Sequence, residues 1–268
     1  MATPNAASTR HVWSVLTGLH RAGLAGRVDR RGARRDTLWF ATPEGAEVVE
    51  ESNDVPDRVH RMDLHRATGP LQQHTLAVVD TGMAFLRHAR QRGDDVDPLD
   101  WAPEIAHRFR DGPAFDTTHL VADALLHYVQ VDPVKRHRTQ LQFLIEVDRA
   151  TMPLARLAAK VAAYARYYDY VPEPAKKRLK ARPAWRLRYP HFPRVLIILT
   201  GARRSRLEHR LLDLTVRVAE NEYLRADRPG FLVGATLLEQ LQEHGPRKPI
   251  FLPMLPRETR YTSFLFAP

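Results

Sequence analysis

Four residues between Leu120 and Tyr170 have the types and spacing for metal-assisted chemistry on a phosphodiester. Asp123 interrupts the apolar run Val121-Ala122-Asp123-Ala124-Leu125-Leu126, and Glu146 and Asp148 close a second one, Phe143-Leu144-Ile145-Glu146-Val147-Asp148. A carboxylate among aliphatic neighbours is costly unless it is exposed, paired or metal-bound. Glu146 and Asp148 share one face of a strand because they are two residues apart. Two strands ending side by side would bring all three carboxylates to one point, where they repel unless a cation intervenes. Mg²⁺ suits such a set, since it takes oxygen ligands, keeps waters and can activate one of them. Lys160 is the only lysine between Lys135 and Lys176. From the next helix it would reach the same point and orient water or phosphate. The alternative is structural: Glu146 or Asp148 pairs with Arg149 or Arg156, Asp123 caps a loop, and Lys160 snorkels at the surface.

The elements that must position these residues follow from periodicity. Leu71 to Gln91 reads as an amphipathic helix with Leu76, Val79, Met83, Phe85 and Leu86 toward a core. Strands are expected over Trp101–Arg110, Leu120–Val129 and Gln140–Val147, then a helix over Met152–Tyr170. A buried strand over Val195–Thr200 and a helix over Arg203–Tyr223 follow. Phe231–Val233 reads as a short strand, Thr236–His244 as a helix, and the tail from Pro246 as extended. Strands alternating with helices in this order predict an α/β (α+β) fold with a central sheet flanked by helices.

Ahead of this body, Ser8 to Ala22 reads as a helix with Val12, Val15, Leu16 and Leu19 at helical spacing, ended by Gly23. A hairpin follows, Leu24–Val28 and Thr37–Ala41, whose tip carries Arg30, Arg31, Arg34 and Arg35. A helix from Thr42 to Glu50 has Pro43 in its first turn. The polar stretch 51–70, with Pro56 and Pro70, reads as a linker. The expected domains are therefore 1–50 and 71–268.

The formal net charge is +10, and residues 134–210 hold 19 Lys/Arg against 5 Asp/Glu. Such clustering is the electrostatic footprint of a polyanion binder. Within it, residues 176–188 read KKRLKARPAWRLR. Lys176, Lys177, Arg178, Lys180, Arg182 and Arg186 would neutralise phosphates, and Trp185 would stack on an unpaired base. The absence of cysteine excludes disulfides and thiolate-bound zinc. No P-loop, dinucleotide glycine pattern or Gly-x-Ser-x-Gly is present, so nucleotide hydrolysis, hydride transfer and serine hydrolysis drop out. No signal peptide or apolar run of membrane length is evident, which fits a cytoplasmic protein.

Helix, short strand, basic hairpin, strand and a Thr-Pro-Glu-Gly helix resemble the C-terminal half of a winged helix-turn-helix. The resemblance makes the first helix, with Arg10, the DNA-reading helix and residues 29–36 the wing; the alternative is a helix-hairpin subdomain that packs on the main body or makes a dimer with a second copy of the chain. The αβββαβ order resembles the PD-(D/E)XK nuclease superfamily, which implies a mixed sheet with Asp123, Glu146 and Asp148 as metal ligands. Asp148 stands where that superfamily usually has lysine, and Lys160 on the following helix matches a known relocation. His74 or Asp80 on the first helix would add a further ligand. Together, Glu146-Val147-Asp148-Arg149-Ala150-Thr151, the helix Arg156-Leu157-Ala158-Ala159-Lys160-Val161 and Phe192-Pro193-Arg194-Val195-Leu196 resemble the actinobacterial replication-relaxation family. That resemblance implies DNA as partner, plasmid or mobile-element metabolism, and either a Mg²⁺-dependent nuclease or a non-catalytic DNA-binding regulator built on the same scaffold. Tyrosine-based nicking is not expected, because no histidine pair forms the metal motif it needs and periodicity places Tyr164 in the core.

Overall fold

The computed structural model describes residues 9–30, 36–51, 61–110, 117–132, 134–135, 137–172, 182–255, 258 and 260–265. The chain divides into two compact units, Met1–Leu76 and Ala77–Pro268. The division falls inside a helix, beyond the stretch expected as a linker.

The N-terminal unit holds α1 (Thr9–Arg21), the antiparallel pair β1 (Ala25–Asp29) and β2 (Thr37–Ala41), then α2 (Pro43–Glu50) and α3 (Leu64–Thr68). Thr42 caps α2 by accepting from the Gly45 amide at 3.1 Å. Gly45 is required there, since a Cβ would lie 2.0 Å from the Leu24 carbonyl oxygen. Residues 61–70 are more ordered than a linker: Asp63 caps α3, and Arg61 holds the buried Glu50 carboxylate at 2.5 Å. The Gln72 amide then bonds the Ala67 and Asp29 carbonyls at 2.8 and 3.2 Å. Of the apolar residues at helical spacing on α1, Val12, Val15 and Leu19 are exposed and Leu16 is half-buried. Trp13 instead meets the edge of Trp39 at 5.6 Å. Arg10 is exposed, Arg30 pairs with Asp36 at 3.6 Å, and Arg31, Arg34 and Arg35 lie outside the described residues.

The second unit is built on a six-stranded sheet in the order β3-β4-β5-β6-β7-β8, preceded by α4 (Gln72–Arg92). The strands are β3 (Trp101–Arg110), β4 (Thr117–Val131), β5 (Arg138–Asp148), β6 (Arg194–Leu199), β7 (Val233–Leu237) and β8 (Leu252–Leu255). β5, β6 and β7 run parallel, while β3–β4, β4–β5 and β7–β8 are antiparallel. The connecting helices are α5 (Leu154–Asp169) and α6 (Arg204–Glu220), with α7 (Leu238–His244) after β7. The observed order α4-β3-β4-β5-α5-β6 is the expected αβββαβ, and the fold class is mixed α/β of the α+β kind.

Two cores sandwich the sheet. Leu144 of β5 and Val195, Ile197 and Leu199 of β6 pack under α5 and α6. Phe143, Ile145, Val147, Leu196 and Ile198 pack against α4 and α7. β6 is buried on both faces, which accounts for its unbroken run of aliphatic residues.

Two expectations need correction. Phe85 and Leu86 of α4 are buried as expected, but Val79 and Met83 are exposed, and Ala77, Val78, Ala84 and Ala89 complete the buried face in their place. β7 is Val233–Leu237 rather than 231–233; its Gly234-Ala235-Thr236 centre carries too little apolar bulk to read as a strand, yet every residue is buried. The tail, extended as expected, supplies the edge strand β8, where Pro253 is tolerated because one side of an edge strand needs no donor.

His107 of β3 is 1% exposed, bonded to the Tyr189 hydroxyl at 2.7 Å and packed on Tyr167. Burial, with Arg188 adding to it, lowers its pKa to about 4. The folded state thus keeps His107 neutral while the unfolded chain protonates it below about 6.5. Its contribution is complete above that pH and is lost as pH falls toward 4. The shift corresponds to roughly 3 kcal/mol. We expect urea unfolding of the parent to weaken by that order between pH 7 and 4 relative to His107→Gln. An identical pH dependence of the two proteins would refute the assignment.

Candidate active site

The site forms where β4 leaves β5. The ladder between them runs from Val131↔Arg138 to Ala124↔Ile145 and stops. The next backbone donor on β5, the Val147 N–H, is taken by the Asp123 carboxylate at 2.7 Å. A side chain thus replaces a ladder carbonyl, and Asp123 is fixed beside Glu146 by the strand that Glu146 belongs to. On the other side of β4, Glu104 of β3 adopts φ 54°, and just past β5 Ala150 adopts φ 57°. These are the non-glycine residues with left-handed backbone among those described, and both flank this point. Such strain costs of order 1–3 kcal/mol per residue and gathers at functional sites.

Glu146 is 3% exposed, yet both carboxylate oxygens are satisfied: Oε2 accepts from Lys160 Nζ and Oε1 from the Tyr164 hydroxyl. Lys160 and Tyr164 are one turn apart on α5 and so present themselves together. Burial pushes the Glu146 carboxyl up to about 7; Lys160 opposes the rise and the charge of Asp123 adds to it. Burial and Glu146 hold the Tyr164 hydroxyl well above its ordinary pKa, so it remains a donor. Leu157, Val161, Val195 and Ile197 complete a crevice around these groups that is too narrow for a water molecule.

Asp148 shares the Glu146 face but has a different partner. Arg210 of α6 donates to its Oδ2 at 2.5 Å and to the Met152 carbonyl at 2.5 Å. Among the described residues Asp148 Oδ1 is buried without a hydrogen-bond partner. Asp123 and Glu146 are therefore brought together with Lys160, while Asp148 is tied to Arg210. Among the described residues no three acidic or imidazole side chains are grouped as a metal would require. A three-carboxylate site does not fit this arrangement. Two carboxylates, Asp123 and Glu146, remain together; they offer the oxygen ligands that Mg²⁺ takes, with both Glu146 oxygens engaged by Lys160 and Tyr164.

Tyr164 is the residue that sequence reasoning missed. Its periodicity reads as core, and the available signal was its position four residues after Lys160. Asp80 does not join the site. It is exposed on α4, whose buried side packs on the opposite face of the sheet from Glu146. His74 belongs to the N-terminal unit.

Trp185 also departs from expectation. It is 4% exposed, stacked on Tyr168 at 5.8 Å, bonded through Nε1 to the Tyr168 carbonyl and covered by Arg186 at 4.7 Å. An indole so enclosed has no face for a base; its apolar bulk went into the core beside Phe192. Arg182 and Arg186 are exposed, and Lys176, Lys177, Arg178 and Lys180 lie outside the described residues.

No helix among the described residues is long and apolar enough to cross a membrane. No curated protein and no solved structure matches the chain. A model of the replication-relaxation family matches residues 1–180, a stretch that includes Asp123, Glu146, Asp148, Lys160 and Tyr164. The chain belongs to the replication-relaxation family and has the replication-related role that this membership carries.

Proposed function

We propose that this protein binds DNA in the replication of a plasmid or mobile element and cleaves it at the centre formed by Asp123, Glu146 and Lys160. The carrying observation is that Lys160 of α5 meets Glu146 of β5 beside Asp123, at the point where the β4–β5 ladder ends. A buried acid with a strongly shifted pKa and a specific basic partner is the physical profile of a functional site. The cluster of basic residues over 134–210 supplies the attraction for DNA.

Asp123 and Glu146 would hold Mg²⁺, which supplies an activated water and neutralises charge on the scissile phosphate. The Val147 N–H fixes the Asp123 carboxylate, and the Tyr164 hydroxyl fixes that of Glu146. Lys160, about a quarter exposed, presents the positive charge that orients water or phosphate. Asp148 has a structural role with Arg210.

A second reading, DNA binding on a non-catalytic scaffold, is favoured by the narrow crevice and by the engagement of both Glu146 oxygens. Incubating supercoiled plasmid with the full chain in Mg²⁺, Mn²⁺ or EDTA separates the two. Nicking that needs the metal and disappears in Glu146→Ala supports cleavage. Salt-sensitive DNA binding with no nicking in either metal supports the scaffold.

A further inference from the structure

The first turns of α5 and α6 repeat one pattern. In α5, Arg156 stands four residues before Lys160, and Lys160 is paired with Glu146. In α6, Arg206 stands four residues before Arg210, and Arg210 is paired with Asp148. Residues four apart share a helix face. Each β5 carboxylate is thus matched by a base from a different helix, and one turn farther toward the carboxyl ends of β5 and β6 lies an exposed arginine. Arg149 and Arg203 belong to the same edge. The position of a Cβ on Gly201, in the β6–α6 turn, is 3.1 Å from the Arg149 Cβ, and Arg203 directly precedes α6.

No ion pair joins Arg149, Arg156, Arg203 or Arg206 to a described residue, and neither helix has an acidic residue in its first turn. The nearby Glu208 is occupied by Arg204 at 2.9 Å. The carboxyl ends of parallel strands are where open α/β sheets bind ligands. Guanidinium groups match phosphate oxygens in charge and fork geometry.

We propose that Arg149, Arg156, Arg203 and Arg206 form the surface that holds the DNA phosphate backbone beside the candidate active site, with Arg156 and Arg206 as its two centres. The inference rests on the DNA reading above and assigns that reading to one edge of the sheet. Arg210 is neutralised by Asp148 and Lys160 serves the centre at Glu146, while the outer arginines carry charge that no described carboxylate balances.

The test is duplex-DNA affinity of the full chain across a salt series. Arg156→Gln/Arg206→Gln is compared with Arg87→Gln/Arg90→Gln, a pair of equal charge at exposed positions of α4 on the other face of the sheet. The first pair should weaken binding roughly tenfold at moderate salt and lower the slope of log K against log salt by about 0.9 for each phosphate no longer neutralised. The second pair should leave both near the parent. Arg149→Gln/Arg203→Gln should repeat the loss, and unchanged thermal midpoints confirm that all variants fold. Equal losses from both faces would overturn the proposal in favour of diffuse attraction. A parent that binds while Arg156→Gln/Arg206→Gln binds as tightly would overturn the proposal and leave the DNA reading standing. A parent that fails to bind duplex at low salt would overturn the DNA reading and this surface with it.

Discussion

Arg210→Met is expected to destabilise the second unit by about 3–5 kcal/mol, the usual cost of stripping one partner from a buried ion pair. The side chain of Asp148 is 2% exposed and that of Arg210 14%. Because Asp148 Oδ1 has no hydrogen-bond partner among the described residues, Arg210 is the donor on which the buried carboxylate depends. The same guanidinium bonds the Met152 carbonyl and so ties the β5–α5 turn to α6. Methionine keeps much of the arginine stem's packing, so the loss reports charge and hydrogen bonds rather than a cavity. Asp148→Leu/Arg210→Met should recover most of the deficit, since replacing both partners of a buried pair is often neutral or stabilising. Urea unfolding of the parent, both single variants and the double variant measures this directly. A deficit below about 1 kcal/mol for Arg210→Met would mean that water or another donor reaches Asp148 and that the pair is no lock.

Much of the fold was legible because the second unit follows the two periodicities closely. β5 alternates Phe143, Ile145 and Val147 on one face with Leu144 and Glu146 on the other, and α5 carries Leu157, Val161 and Tyr164 at helical spacing. Legibility failed where bulk and burial part company. Gly234-Ala235-Thr236 is a fully buried strand with little apolar mass, and Trp185 sits in a basic segment yet is core. α1 shows the reverse separation, with Val12, Val15 and Leu19 at helical spacing yet exposed.

In the site, the spacing put Lys160 within reach of the carboxylates, but its ion pair with Glu146 was not foreseen, since Arg149 or Arg156 was the partner expected for a structural pair. The fate of Asp148 was not foreseen either. Alternation places it on the Glu146 face, but its partner comes from position 210, and no local pattern in the sequence announces so distant a contact. Asp123 illustrates a third case. Its isolation in an apolar run was visible, whereas its bond to the Val147 N–H depends on the ladder ending at Ala124, a register fact.

Under the proposed cleavage of DNA, the largest expected effect is a loss of roughly a hundredfold or more in rate for both Glu146→Gln and Lys160→Met, the scale of removing a group that acts on developing charge. The two losses should differ in kind. Glu146→Gln keeps the shape and a hydrogen-bonding oxygen but removes the charge that would hold a cation, so its residual rate should need more Mg²⁺ to saturate. Lys160→Met leaves the two carboxylates together and removes a competing cation from Glu146 Oε2. Its Mg²⁺ requirement should stay the same or fall while the rate at saturating metal remains low. Tyr164→Phe should act through Glu146, raising the Mg²⁺ requirement with a smaller loss of maximal rate, because the hydroxyl positions the carboxylate without reaching substrate. Rates across a Mg²⁺ series, with folding checked by circular dichroism, resolve these outcomes. If all three variants lost rate at the same Mg²⁺ midpoint, the roles assigned to Glu146 and Tyr164 would fail. If the three variants cut as fast as the parent, the centre would be a structural ion pair and the scaffold reading would take its place.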